Sequence, residues 1–455
     1  MSSTNVGASI ISGSESNTSS GGLGAGIDVS LLVQAAMSNQ QAELQLLQGQ
    51  QTTLADQQTA LTSFQTDVET LQTAAFALTD PVSSLTEMTA TTSDPTVLTA
   101  SAVTGATNGS YAVVVNNLAT TSSYYSSAEP SSTTTLANGT LTIQVGGGTA
   151  VPITVDSTDN TLSGLATAIN NANIGVTANV ITDANGSRLS IVSNTSGAPG
   201  DLTVTATAGL PTMTKAVTGV NASLTLNNIP ISSTTNTVTT AINGVTLNLT
   251  SANPNETVTL NVGPDVTDAE NAINSFVSAY NTVIGDLNAQ FAVDPSTGDA
   301  GPLASDSTLS LTQSQILSSA AFAMTGNGNV NSLADLGISF NDDGTMSVDT
   351  GALTSALTAN FTDVQNFFQA QNAGSFGANL TQSLSAVADP ITGALAQDLT
   401  GLQQTQTDLT QQITDFQSQL SDLQTSLTQQ YDQVDTTLQE LPLLLQQVNQ
   451  QLASL

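Results

Sequence analysis

The stretch of this sequence nearest to a chemical site is Asn341-Asp342-Asp343-Gly344. Closely spaced carboxylates before a glycine can open a calcium loop, but the glutamate such a loop needs downstream is missing. A hairpin turn is the better reading. Gly146-Gly147-Gly148 could cradle a phosphate with its amide hydrogens, yet no Lys-Ser/Thr follows and strand-like text flanks it, so it also reads as a turn. Lys215, beside Thr214, could form a nucleophile–base pair; with nothing in the sequence to bury it, it reads as a solvated side chain. Paired carboxylates can hydrolyse glycosides, but among 35 acidic residues some pair always falls close together. Cysteine and histidine are both absent, which removes thiolate chemistry and the commonest general base and metal ligand. The expectation is a protein that is not an enzyme, with no catalytic residue, cofactor or metal.

Charge points the same way. Lys and Arg total 2 against 35 Asp and Glu, a net charge of −33 over 455 residues, while 39% of the chain is apolar. That apolar content supports folding. Arg188 and Lys215 are the sole basic side chains, so there is no footprint for nucleic acid or an anionic membrane surface. No run approaches a transmembrane span, and the Ser/Gly/Asn-rich first 26 residues lack the pattern of a signal peptide. Carboxylates repel one another at neutral pH, and near pH 4 about half of ordinary ones are protonated. The composition therefore suits an acidic exterior; a compositional bias of the lineage accounts for it equally.

With no chemistry to position, the elements themselves carry the argument. From Leu395, apolar residues fall at Leu399, Leu402, Leu409, Ile413, Phe416, Leu420, Leu423, Leu427, Tyr431, Val434, Leu438, Leu441, Leu445, Val448, Leu452 and Leu455. Alternating steps of three and four predict a long helix with a coiled-coil seam, interrupted by Gln406 and a stutter at Leu423, Leu427 and Tyr431. Leu47, Leu54, Leu61, Val68 and Ala75 recur every seven near the other end, joined by Phe64, Leu71 and Leu78. Gln50 and Gln57 occupy seam positions there, weakening it. Asp28 is the expected N-cap and Asp80-Pro81 the stop. Neither helix can bury its stripe alone, so the two ends are expected to pair.

Between them the period changes to two. A hairpin is predicted from Val97–Val103 and Tyr111–Leu118, then a Ser/Thr/Tyr-rich loop from Thr120 to Thr135. A small α+β module follows: Gly139–Val145, Val151–Val155, a helix carrying Leu162, Leu165 and Ile169, then Val176–Ile181 and Arg188–Val192. Further strands fit Ser223–Asn227, Thr237–Ile242, Val245–Leu249 and Val258–Val262, with turns at Asn243-Gly244 and Asn253-Pro254-Asn255. Helical spacing returns at Asp268 through Leu287 and at Thr308–Ala323. A hairpin at Gly337–Val348 and helices around Leu353 and Val364–Phe368 follow.

Several of these stretches together resemble the flagellar filament cap, or hook-associated protein 2, family. They are Gly22-Leu23-Gly24-Ala25-Gly26-Ile27-Asp28-Val29; Gly139 to Ile143 with Asn160 to Leu165 and Ala168-Ile169-Asn170; Asn236-Thr237-Val238 with Gly244 to Leu247; Phe276 to Asn281; Gly301-Pro302-Leu303; and Leu333 to Ile338. The resemblance covers residues 20–455. It implies an exported homo-oligomer, often pentameric, that sits at the distal filament tip with flagellin and hook-associated proteins as partners. It further implies help with flagellin insertion, prevention of flagellin loss, and passage through the flagellar export apparatus without a Sec-type signal. Two departures stand out: Gln and Thr replace the family's helical Lys and Arg, and Pro442 should kink or break the last helix.

The expected fold is α+β multidomain, with N- and C-terminal helices paired as a coiled-coil leg and β-rich head domains inserted between them. Its expected segments are 1–26 (flexible), 27–80 (leg helices), 81–135 (hairpin and loop), 136–200 (α+β module), 201–264 (second β-rich unit), 265–390 (helical domain with a hairpin) and 391–455 (C-terminal helix). Leu443 and Leu444 widen the apolar surface of the last helix beyond what one partner needs. Leu23, Ile27, Val29, Leu32, Val33, Leu438, Leu441, Leu445, Val448, Leu452 and Leu455 are the expected contacts to other subunits or flagellin. The alternatives are another hook-associated protein, a flagellin, or a glycan-binding adhesin using the 120–135 loop.

Overall fold

The computed structural model describes residues 28–80, 82–369 and 374–452. A long helix, α1 (Val29–Thr79), opens the chain. Strands follow: β1 (Met88–Thr92), β2 (Leu98–Ala102), β3 (Gly109–Asn117), β4 (Thr121–Ser126), β5 (Gly139–Val145) and β6 (Val151–Val155). After a short helix α2 (Leu162–Asn171) come β7 (Val176–Asp183), β8 (Gly186–Ser196), β9 (Leu202–Ala206) and β10 (Met213–Val217). β11 (Ala222–Leu226), β12 (Ile229–Ser233), β13 (Thr237–Ile242), β14 (Val245–Leu249) and β15 (Asn253–Pro264) end the run. The chain then forms α3 (Val266–Phe291), α4 (Ser307–Ala320), β16 (Ile338–Phe340), β17 (Met346–Val348), α5 (Thr350–Ala359), α6 (Phe361–Phe368), α7 (Phe376–Ala388) and α8 (Ala394–Leu452). N- and C-terminal helices thus bracket a β-rich middle, as the sequence pattern predicts.

Two compact units result. One takes the described residues of Met1–Glu69, Gly285–Gln313 and Ser385–Leu455, the other those of Thr70–Ile284 and Ser314–Leu384. In the second, mixed unit a five-stranded antiparallel sheet, β1-β15-β3-β11-β12, shares one core with the three-stranded sheet β13-β14-β2. Alternation puts Val113 and Val115 of β3, and Val245, Leu247 and Leu249 of β14, into that core. A second core is shared by β10-β4-β8-β7, β6-β5-β9 and α2. Thr161 caps α2 by accepting the Gly164 amide at 3.0 Å, and Leu162, Leu165 and Ile169 point inward.

Three expectations are corrected here. β2 and β3 are not a hairpin: β2 pairs with β14 and β3 with β11 and β15, so the intervening chain crosses between sheets. The Ser/Thr/Tyr stretch is not a loop throughout, because Thr121–Ser126 is a strand between β8 and β10. Ser122 and Ser126 are fully buried there, their hydroxyls receiving the Leu202 and Leu189 amides. Lys215 is not freely solvated; its ammonium lies 2.8 Å from Asp201 and 5.7 Å from the Tyr124 ring centroid. Burial opposes the Asp201 charge, but hydrogen bonds from Lys215, Gly219 and Ser122 outweigh it and hold the carboxyl below its usual range.

The Asn243-Gly244 turn between β13 and β14 needs its glycine. Gly244 has φ +74°, and an added Cβ would lie 2.7 Å from Ala106 Cα. Gly244→Ala should cost about 1–3 kcal/mol, readable as a lowered denaturation midpoint.

Helices complete the mixed unit. Phe276 and Tyr280 of α3, Phe367 and Phe368 of α6 and Phe376 of α7 are all fully buried. The Phe367 and Phe376 rings stack at 4.9 Å, and Phe376 meets Phe276 and Phe368 edge-on. Tyr280 donates its hydroxyl to the Gly344 carbonyl at 3.1 Å, and burial pushes its phenol well above the usual value. Asn281 pairs with both backbone groups of Met346. The Asp342-Asp343-Gly344 turn is therefore pinned to α3, and Asp343 spends its carboxylate on the Thr345 hydroxyl and amide.

Candidate assembly surface

In the helical unit, α1 begins where Asp28 accepts the Leu31 amide and the Ser30 hydroxyl. Those bonds stabilise the charged carboxylate and lower its pKa. Its first turns pack on α8 through Val33, Met37 and Leu420, with Val29, Leu44, Phe416, Leu427 and Tyr431 around them. Farther along, the Gln51 side-chain amide donates to Thr410 Oγ1 at 3.0 Å. Ascending numbers on α1 thus meet descending numbers on α8: the pair is antiparallel. Where polar Gln50 and Gln57 occupy the seam, the helices do not close, leaving a cleft of about 470 Å³ lined also by Leu54, Thr405 and Leu409.

α1 begins at Val29 in the same cluster as Tyr431, and α8 continues from there to Leu452. On that continuation Val434, Leu438, Leu441, Leu445, Val448 and Leu452 follow steps of four and three and so share one face. Their side chains are exposed by 44–65%. Leu443 and Leu444 are exposed beside them, at 66% and 59%. An exposed apolar stripe of this kind is a candidate for contact with another chain. α8 runs through Pro442 without interruption, which corrects the expected break: proline removes one backbone hydrogen bond while the bonds on either side persist.

The expected contact residues separate into groups. Leu438, Leu441, Leu445, Val448 and Leu452 lie together on the exposed stripe. Val29 and Val33 pack toward Phe416–Tyr431 in the seam, and Leu32 is exposed. Leu23, Ile27 and Leu455, like the 1–26 segment and Pro81, fall outside the described residues. Sequence reasoning missed two pairs of half-buried carboxyls in this unit, Asp67 with Asp286 and Asp306 with Asp398. Partners more than 90 residues apart leave no local signal.

Two long end helices, a two-core β-rich middle and an exposed apolar stripe define a structural assembly protein. Residues 25–122 match the flagellar hook-associated protein 2 N-terminus, 219–442 its C-terminus, and 140–195 the flagellin hook IN motif, which falls on the β5–β8 module. The B-type flagellar hook-associated protein 2 of Pseudomonas aeruginosa is 31% identical over 347 residues, covering 68% of this chain and 71% of that protein. The flagellar hook-associated protein 2 of Escherichia coli K12 is 29% identical over 343 residues, 68% of this chain and 72% of its own length. The crystal structure of the flagellar cap protein FliD D1-D2-D3 domains from Escherichia coli superposes with a TM-score of 0.57 at 27% identity. That match covers 76% of this chain and 99% of the solved one. The chain belongs to the flagellar hook-associated protein 2 family.

Proposed function

We propose that this protein caps the distal end of the bacterial flagellar filament, where it guides flagellin into place and keeps arriving subunits from escaping. The observation that carries this reading is the exposed stripe from Val434 to Leu452, joined to a fold shared with a solved flagellar cap protein. The stripe supplies a hydrophobic contact that a neighbouring helix of flagellin or of another cap subunit can cover. Its work is binding and rearrangement, not covalent catalysis. Several copies form a small ring, and the chain travels through the flagellar export apparatus before it folds. The test is deletion of its coding sequence in the source bacterium. Filaments should fail to elongate and flagellin should accumulate in the medium, with both defects reversed by the intact gene. Full-length filaments and unchanged flagellin loss in the deletion strain would refute the proposal.

A further inference from the structure

The helical unit carries a charge arrangement that its composition cannot neutralise. Asp306 stands before α4, its carboxylate accepting the Thr308 amide at 2.7 Å and the Leu309 amide at 3.2 Å. Those two amides and the start of α4 hold its carboxylate in place. Asp398, near the start of α8, sits within hydrogen-bonding reach of Asp306, and its Oδ2 is shut off from solvent with no donor. Two ionised carboxylates cannot stably share such a place, whereas one proton between them satisfies the orphaned oxygen. Asp67 of α1 and Asp286 of α3 form a second half-buried carboxyl pair within hydrogen-bonding reach.

No cationic side chain faces either pair. On the elements packed there, α1 brings Gln57, which donates to the Pro302 carbonyl, and α3 brings Gln290, which receives the Leu303 amide. α8 brings Gln397, which donates to the Thr392 carbonyl, and the Thr308 hydroxyl is the group beside Asp398 that favours its charge. Histidine is absent. Arg188 is engaged with the Ser126 carbonyl and Lys215 with Asp201, both within the mixed unit.

We propose that these two pairs form an acid-set brace: each holds a shared proton between helices, so the helical unit tightens at mildly acidic pH and loosens toward neutrality. Burial first, then the neighbouring aspartate, raises Asp67 and Asp398 to about 6 each. An unfolded aspartate titrates near 3.8. Between those values the folded chain keeps a proton that the unfolded chain has released, so stability rises as pH falls through 6 and levels off below about 4. Asp94, Asp156, Asp294 and Asp389 act oppositely. Hydrogen bonds from neighbouring hydroxyls and amides lower them, and their contribution is lost only as pH falls below about 4. Stability is therefore greatest on the acid side of neutrality.

The experiment is denaturant unfolding of the full-length protein from pH 4 to pH 7.5, for the wild type, D67N/D398N and the exposed control D422N/D432N. Both variants remove two formal charges. Lowering the pH from 7 to 4.5 should strengthen the wild-type folding equilibrium by about tenfold per pair, a value reduced for partial exposure. D67N/D398N should flatten that dependence while the control keeps it. Carboxyl-carbon NMR of aspartate-labelled protein should show two resonances titrating near pH 6 that vanish in D67N/D398N. Equal flattening by the control would assign the effect to net charge and overturn the brace. So would aspartates in the wild type that all titrate near pH 4.

Discussion

A chain carrying L441E, L445E and V448E should fold as the wild type does yet fail to support filament growth. The three side chains are exposed by 45–57%, so replacing them removes little intramolecular packing. Surface substitutions of this kind usually change stability by about 0.5 kcal/mol or less. At a contact the arithmetic reverses, because a glutamate pressed into an apolar interface must be desolvated without a partner. Three of them across successive turns should cost well over about 5 kcal/mol of binding, more than a thousandfold in affinity. Complementation of a cap-deletion strain checks this: circular dichroism melts should overlay those of the wild type, while swimming-plate diameter and filament length stay at the deletion level. Wild-type motility from the triple variant would remove the stripe from assembly altogether. Control replacements at Gln446 and Gln450, on the same turns, should remain functional.

The largest effect on stability is expected at Phe376. Its ring is fully buried, stacked on Phe367 at 4.9 Å and met edge-on by Phe276 and Phe368. Phe376→Ala forfeits transfer energy and leaves a cavity that three other rings can fill only by moving, a loss of about 3–5 kcal/mol. The backbone cannot shift to compensate: Gly377 lies so close to the Phe368 carbonyl that even a Cβ would collide. Phe376→Leu, which keeps most of the volume, should lose roughly half as much. Guanidinium melts followed by tyrosine fluorescence provide the readout, since Tyr280 contacts the same cluster.

How much of the fold is legible in the sequence depends on where each signal lies. β5, β6, β13 and β14 are visible because alternation and glycine turns are local properties. The α1 and α8 seams are visible because a heptad repeats many times over. β4 was hidden by composition: its inward residues include Ser122 and Ser126, whose burial is stabilised by hydrogen bonds from distant strands rather than by hydrophobicity. The β2–β3 hairpin failed because pairing partners across a sheet are chosen by packing, and β14, some 140 residues away, fits β2 better. α7 escaped notice because Gly377, Ala378 and its serines dilute a helical face that Phe376, Leu380, Leu384 and Val387 nevertheless bury. The stripe is legible as a pattern of threes and fours, whereas its exposure is a property of the fold that no local pattern carries.

The antiparallel pairing of α1 with α8 also sets an order of events. Gln51 and Thr410 are 359 residues apart in the chain, whereas β5 and β6, or β7 and β8, find each other across a few residues. Long-range closure is slow because chain entropy is lost before contacts repay it. Whenever the chain folds, the apolar face of α1 stays uncovered until α8 docks from the far side of the β-rich middle. Through that interval the strand modules can mature while the helical unit stays open, an exposed seam that a holding partner can grip. The helical unit is then a late product of folding, and α8, the helix that completes it, also carries the exposed apolar stripe.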